Sequence, residues 1–134
     1  MIQRIQTLWL LIAAACSFII MKLPFFGGTL TNVYTDLTAT HSFITLILSS
    51  AVGAGSIVLI FLYKNRKRQM QFILLALLLA LVDIAMLHYG TKEFTNGHFT
   101  IYSIFVIAIP VFLALAARGV YKDNKLVKSL DRLR

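Results

Sequence analysis

Four long apolar stretches, separated by short polar links, dominate the pattern of residues along the chain. The stretches run over residues 5–23, 42–63, 70–89 and 99–117. A helix needs roughly 20 mostly apolar residues to cross the hydrocarbon layer of a membrane, and each stretch is close to that length. The alternation of apolar and polar residues that short β spans require is missing. The pattern therefore predicts an all-α protein with four transmembrane helices, forming one membrane domain over residues 1–134.

The links between these stretches predict how the helices follow one another. Residues 64–69 leave room only for a turn, and residues 90–98 form another compact turn. The longest link, residues 22–41, carries Pro24 and a run of glycine and polar residues. Because short links place consecutive helices side by side and antiparallel, we predict an up-and-down four-helix bundle.

Composition indicates that the solvent of this protein is a bilayer. Hydrophobic residues make up 59% of the chain and charged residues 13%, whereas a soluble domain is about 45–50% apolar and about 25% charged. A water-soluble core of this size could not bury so much apolar surface. The single cysteine, Cys16, excludes an internal disulfide and any thiolate metal site that needs two sulfurs.

The distribution of basic residues predicts the orientation in the membrane. The net charge of +8 would suit a nucleic-acid partner only if it lay on one solvated face. Instead, the basic residues form short clusters between the apolar stretches, so we predict no nucleic-acid partner. Eleven of the 13 basic residues lie before the first stretch, between the second and third, or after the fourth, and only Lys22 and Lys92 lie at the opposite ends of the predicted helices. Since basic residues favour the cytoplasmic side, both termini are predicted to be cytoplasmic.

Residues 118–134 predict a basic cytoplasmic tail that contains a short amphipathic helix. Leu126, Leu130 and Leu133 recur at helical spacing, and Asp123 is suited to cap the amino end of that helix. Anionic lipid attracts such a helix by about 1 kcal/mol per Lys or Arg, and docking of a partner protein is the alternative. The polar start of the chain lies on the same side and can meet this helix. Together they predict a docking face: Gln3, Arg4, Gln6, Lys125, Lys128 and Arg132.

Small residues at helical spacing predict close packing between the helices. The second stretch contains several pairs of small residues that are four positions apart. Such pairs let helix backbones approach closely in lipid, where association depends on packing. A ligand groove or a hinge at Gly53 and Gly55 is the alternative. The predicted packing positions are Ser49, Gly53, Ala54, Gly55, Ala76 and Ala80.

Asp83 is an acid well inside the third predicted span. It lies about six residues before the outer end, which places it about 9 Å inside that end. Acids inside the membrane mark ion or substrate pathways by default, but a single acid also serves as a hydrogen-bonding point between helices. Because Ala76 and Ala80 share its helix face, we expect Asp83 to point towards a close neighbour.

The histidines all lie near the outer ends of the predicted helices, where two acids lie at similar depth. The set comprises His41, His88, His98, Asp36 and Glu93. Imidazoles and carboxylates can converge on zinc or another divalent ion, but no two of these histidines share an i,i+4 spacing. A metal- or haem-binding redox protein is therefore a third alternative for the function, and we predict neither a resident metal nor a cofactor.

Motifs of catalysis are missing from the sequence, which contains no Gly-rich phosphate loop, HExxH or nucleophile elbow. We therefore predict that the protein is not an enzyme. The predicted function is that of an accessory or assembly subunit of a larger membrane complex, with the bilayer and other membrane subunits as partners. The alternative is a small transporter or an ion or proton pathway centred on Asp83. We expect such a pathway to be oligomeric, because four helices enclose little volume.

The two ends of the chain resemble one known family. The chain begins MIQRIQTL and, near its end, contains KLVKS followed by DRLR. These segments are similar to the signatures of a family of short four-span inner-membrane proteins of the Bacteroidota, known as a domain of unknown function. The resemblance implies a bacterial inner-membrane location. It implies no activity and no catalytic residue.

Overall fold

The computed structural model of the protein describes residues 3–131, together with the side chains of residues 5–127 and 129. Within these residues the chain is mostly helical. The elements in order are α1 (Gln3–Ile19), β1 (Phe26–Leu30), β2 (Val33–Leu37), α2 (Phe43–Phe61), a 3₁₀ turn (Leu62–Lys64), α3 (Arg66–Thr91), β3 (Thr95–Phe99) and α4 (Ser103–Asp131). The three strands are a correction to the all-α prediction, since they occupy segments for which the pattern predicts loops or the start of a span.

The four helices pack side by side around a shared apolar interior. Helix α1 contacts α2 and α4, and α3 contacts the same two helices. Fully buried side chains fill the space between them: Leu10, Ile20, Val52, Ile73 and Leu113. The links α1–α2 and α3–α4 meet in one sheet, which we call the sheet end. The 3₁₀ turn joins α2 to α3 at the opposite end, which we call the turn end.

The outer surface of the helices is apolar, whereas several polar side chains are buried in the otherwise apolar interior. Polar side chains are buried between the helices: Ser17, Ser49, Ser56, Gln69 and Asp83. Large apolar side chains face outwards and are about half exposed or more: Ile47, Leu74, Leu78, Leu81, Ile104 and Ile107. A continuous apolar surface of this kind is rare on a soluble monomer, and it suits a protein surrounded by lipid.

Three helical segments in the described part of the chain are long and apolar enough to cross a membrane. They are Phe43–Lys64, Arg66–Thr91 and Ser103–Val127. Helix α1 contributes a shorter apolar segment, Ile5–Ile19. The pattern predicts a helix to residue 23, but Leu23 precedes a proline and is therefore biased away from helical geometry. These segments indicate a membrane protein.

The fourth helix differs most from the prediction. It begins at Ser103, because residues 95–99 form β3, and continues to Asp131. The predicted tail over residues 118–134 is therefore not a separate helix within the described residues but a continuation of α4. A single glycine, Gly119, costs only about 1 kcal/mol inside a helix, which is too little to end it. Consequently, Asp123 lies inside α4 and does not cap a helix.

The sheet has the strand order β2-β1-β3, with both neighbouring pairs antiparallel. Strands β1 and β2 are joined by Thr31 and Asn32, whose φ angles are 49° and 66°. Two left-handed residues form the type of two-residue turn whose twist matches that of antiparallel strands. The register between β1 and β3 shifts between Gly27 and Thr29, and Asn96 (φ 55°) lies at this irregularity.

Aromatic contacts and backbone hydrogen bonds attach the sheet to the helices. The ring of Phe26 packs edge-on against Phe94 and Phe99, with ring centroids 5.8 and 5.1 Å away. The N–H of Ala39 donates a hydrogen bond of 3.2 Å to the carbonyl oxygen of Ile20. Phe26, Phe94 and Ala39 are buried and belong to the same apolar cluster as the helix interior. The sheet therefore shares one core with the helices.

Candidate functional site

Asp83 lies between the helices and contacts a neighbouring helix. Its side chain is only 3% exposed. Ser49 of α2 donates a hydrogen bond from Oγ to Asp83 Oδ2 at 2.7 Å. The other carboxyl oxygen, Oδ1, is also buried and has no hydrogen-bond partner among the described residues. The acid thus faces a close neighbour on another helix and links α3 to α2.

The small residues of α2 and α3 divide into two groups. Ser49, Gly53, Ala76 and Ala80 are buried between helices. Gly53 lies against α1, since a Cβ atom at this position would come within 3.1 Å of the Phe18 ring. The remaining two predicted packing positions are different: Ala54 is exposed, and no described atom of another helix lies within 4 Å of the position of a Gly55 Cβ. Among the described residues, therefore, neither Ala54 nor Gly55 is a point of close helix packing.

Gly55 opens onto an apolar groove on the outer surface, between α2 and α3. The groove has a volume of about 410 Å³. Side chains from both helices line it, including Ala51, Val58, Phe72, Leu75 and Leu79. Because Ala51 and Gly55 are four positions apart, they lie on the same face of α2. Their small size leaves the α2 backbone accessible from the lipid side.

A buried polar pair joins the first and last helices at the turn end. Gln6 Nε2 donates a short hydrogen bond to Asp123 Oδ2, and these side chains are only 6% and 7% exposed. Gly119 makes room for the contact, since a Cβ atom at this position would lie 2.7 Å from Gln6 Cγ. Gln6, near the start of the chain, therefore contacts the last helix. However, Gln6 is enclosed by that contact and is not part of an open docking face.

The rest of the predicted docking face is described only in part. Lys125 is exposed on α4. The side chains of Gln3, Arg4 and Lys128, and the whole of Arg132, lie outside the described part of the structure. Of the residues predicted for the docking face, only Gln6 and Lys125 have described side chains, and of these two only Lys125 is exposed.

A cavity of about 400 Å³ lies beside the Gln6–Asp123 pair, and we call it the turn-end cavity. Arg66 and Gln69 of α3 also line it. Gln69 is buried and donates a hydrogen bond from Nε2 to the carbonyl oxygen of Leu59 at 3.0 Å. Sequence reasoning missed this cavity, because its polar lining comes from three helices. One signal in the sequence could have indicated the cavity. The helix ends at this side are rich in basic residues, but Gln6 and Gln69 are uncharged and Asp123 is acidic.

The five outer polar residues do not form one cluster. Asp36 and His98 lie on either side of Gly27, in β2 and β3. His41 and Glu93 line one surface cavity, whereas His88 lines another. All five side chains are exposed. Among the described residues, no group of three or more His, Cys, Asp or Glu side chains could hold a metal ion, so these five side chains do not assemble the alternative metal site there.

The chain matches the family described as a domain of unknown function (DUF4293) over residues 2–133, and it belongs to that family. The match includes the helices, the sheet and both terminal segments, and it confirms the resemblance of the chain to a family of unknown function. No curated protein and no solved structure matches the chain.

Proposed function

We propose that this DUF4293 protein is a non-catalytic accessory or assembly subunit of a larger membrane complex. The observation that carries the proposal is the groove at Gly55, which faces away from the other helices of the chain. Two small residues spaced four apart, Ala51 and Gly55, allow a second helix to approach closely in lipid. A transmembrane helix of another subunit is therefore the proposed occupant of the groove.

Buried polar contacts between the helices support a fixed scaffold. Ser49 donates to Asp83, and Gln6 donates to Asp123. Each of these hydrogen bonds joins two helices, and breaking one would leave a buried polar group without a partner at a cost of about 1–3 kcal/mol. Such contacts favour one fixed arrangement of the helices over several arrangements that interconvert.

The alternative proposal is a transporter or an ion or proton pathway centred on Asp83. One observation favours it: Asp83 Oδ1 is buried and has no partner in the described part of the chain. An oxygen of this kind can accept a proton or an ion that passes between the helices. The pathway would require an oligomer, because four helices enclose little volume.

The proposed setting is a bacterial inner membrane, crossed four times, with both termini in the cytoplasm. The turn end carries most of the described basic residues: Lys64, Arg66, Lys67, Arg68, Arg118, Lys122 and Lys125. Since basic residues favour the cytoplasmic side, the turn end is the cytoplasmic end and attracts anionic lipid. Helix α1 has 17 residues and a length of about 25 Å, so a modest local thinning of the bilayer completes the fourth crossing.

Labelling of single cysteines tests this orientation. We expect a membrane-impermeant thiol reagent to label a cysteine in place of Thr31, at the sheet end, in intact cells. A cysteine in place of Lys67, at the turn end, should be labelled only after the membrane is opened. The reverse pattern would contradict the proposed orientation. Both positions are exposed, whereas the native Cys16 is buried.

Extraction from native membranes tests the accessory function. The tagged full-length protein is extracted with a gentle detergent, sized and analysed by mass spectrometry, beside a tagged membrane protein of similar size as a control. We expect a second membrane protein to accompany it at a fixed ratio and to be missing from the control. A lone monomer or homo-oligomer would contradict the proposal and favour the pathway centred on Asp83.

A further inference from the structure

We propose that the turn-end cavity binds the headgroup of a zwitterionic phospholipid, with its phosphate at Arg66 and its primary ammonium at Asp123. Both residues line the cavity, which has a volume of about 400 Å³. The inference does not rest on the accessory function, because it requires only that the helices lie in a bilayer.

Opposite charges face the cavity from two helices. Arg66 is the first residue of α3 and is partly buried, whereas Asp123 lies inside α4 and is 7% exposed. Guanidinium groups bind phosphate in a fixed, forked geometry. Gln6 donates to Asp123 Oδ2, and since a carboxylate accepts about four hydrogen bonds, Oδ1 can accept one from an ammonium group. A ligand that carries both a phosphate and an ammonium therefore complements both side chains.

The remaining walls of the cavity are suited to the rest of a lipid. Ile60, Phe61 and Val120 provide an apolar wall beside the polar groups. Phe61, at the end of α2, and Tyr63, in the 3₁₀ turn, are 72% and 53% exposed. Aromatic residues at helix ends mark the level of the lipid headgroups. The cavity thus lies where a headgroup can enter it while the first acyl carbons contact the apolar wall.

The buried carboxylate distinguishes between kinds of headgroup. The basic residues of the turn end attract anionic lipid to the surface in general, but inside the cavity Asp123 repels a headgroup that carries only negative charge. A choline headgroup carries a positive charge but has no N–H group with which to donate to Asp123. The cavity is therefore expected to prefer an ethanolamine headgroup over choline and glycerol headgroups.

Native mass spectrometry of the full-length protein measures this preference. The protein in detergent is titrated with phosphatidylethanolamine, phosphatidylcholine or phosphatidylglycerol that carry the same acyl chains. We expect one phosphatidylethanolamine to bind about tenfold more tightly than either of the others, which corresponds to one charge-assisted hydrogen bond. Equal binding of phosphatidylethanolamine and either other lipid would overturn the proposal.

Two variants test the two charges separately. Arg66→Gln is expected to weaken the binding of all three lipids about tenfold. Asp123→Asn keeps an oxygen that accepts the hydrogen bond from Gln6, so the helices stay joined, but it should abolish the preference for ethanolamine over choline. The matched control is Arg68→Gln, because Arg68 is exposed on the same helix and should leave binding unchanged. Equal effects of Arg66→Gln and Arg68→Gln, with equal melting temperatures, would overturn the role of Arg66.

Soluble O-phosphoethanolamine distinguishes a lipid from a free phosphate ester. Because the lipid also covers the apolar wall, we expect the soluble compound to leave bound phosphatidylethanolamine in place at equal concentration. Displacement at equal concentration would identify a soluble ligand and overturn the lipid assignment.

Discussion

Ser49 on α2 and Asp83 on α3 form a buried hydrogen bond of 2.7 Å between Oγ and Oδ2. The side chains are only 1% and 3% exposed, so each depends on the other for a polar partner. Asp83 Oδ1 has no partner within the described residues. The two side chains therefore act as one link between helices whose outer surfaces are apolar, and the link depends on a single hydroxyl group.

Removal of that hydroxyl should weaken the helix contact. We expect Ser49→Ala to lower the free energy of unfolding by about 1–3 kcal/mol, because a buried carboxyl group loses its donor. The matched control is Ser50→Ala, since the Ser50 hydroxyl donates to the Ile47 carbonyl within its own helix and its loss should cost about 0.5 kcal/mol or less. Unfolding of the purified protein in detergent measures both values, and equal effects would contradict the role of the pair.

Asp83→Asn distinguishes a scaffold from a pathway. The asparagine keeps an oxygen that accepts the hydrogen bond from Ser49, while the side chain loses its capacity to take up and release a proton. We therefore expect the variant to assemble with the same partner and to support cell growth as the wild type does. Normal assembly with loss of function would favour the pathway centred on Asp83. Growth and co-purification are measured on the same strains.

Gly119 is required by the contact between α1 and α4. A Cβ atom at this position would lie 2.7 Å from Gln6 Cγ, so Gly119→Ala must displace Gln6 from Asp123. We expect a loss of about 1–3 kcal/mol in the free energy of unfolding. Gly55→Ala is the matched control, because no described atom of another helix lies within 4 Å of the added methyl group. Equal melting temperatures of the two variants would contradict the contact of Gly119 with Gln6.

Gly97 is required by the sheet, because a Cβ atom there would overlap the Phe26 ring. Phe26 is buried, so Gly97→Ala should loosen the sheet at a cost of about 1–3 kcal/mol. We expect faster tryptic cleavage at Lys22 and Lys92, both of which are exposed near the sheet. At Gly90 an added Cβ makes only ordinary contact, 3.7 Å from Leu37, so Gly90→Ala serves as the control. Equal cleavage of the two variants would contradict this packing.

The helices are predictable from the sequence, whereas the sheet is not. Long apolar stretches identify the helices because the bilayer core offers the backbone no hydrogen-bond partners. A helix satisfies its backbone N–H and C=O groups within its own segment. The strands are only five residues long, and β1 and β3 contain glycines, which are depleted in strands. Moreover, β1 pairs with β3 across a large separation in sequence, as in the contact between Thr29 and Thr95. No local pattern encodes such a pairing.

Some contacts of the candidate site are predictable from the residues on one helix face, whereas contacts between distant helices are not. That Asp83 faces another helix follows from the small residues on its own helix face, Ala76 and Ala80. The link between Gln6 and Asp123 does not follow, since the pattern places Asp123 at the start of a separate helix. The groove at Gly55 is not predictable either, because pairs of small residues do not indicate which face of α2 the other helices cover.

Comparison of Gly55→Leu with Ala54→Leu tests the accessory function most directly. Both substitutions place a leucine on the outer surface of α2, but Gly55 lines the groove whereas Ala54 does not. We expect both variants to fold and insert, because no described atom of another helix lies within 4 Å of a Gly55 Cβ and Ala54 is exposed. Gly55→Leu should lose the partner subunit from gentle detergent extracts, and Ala54→Leu should retain it. Retention of the partner by both variants would contradict the account.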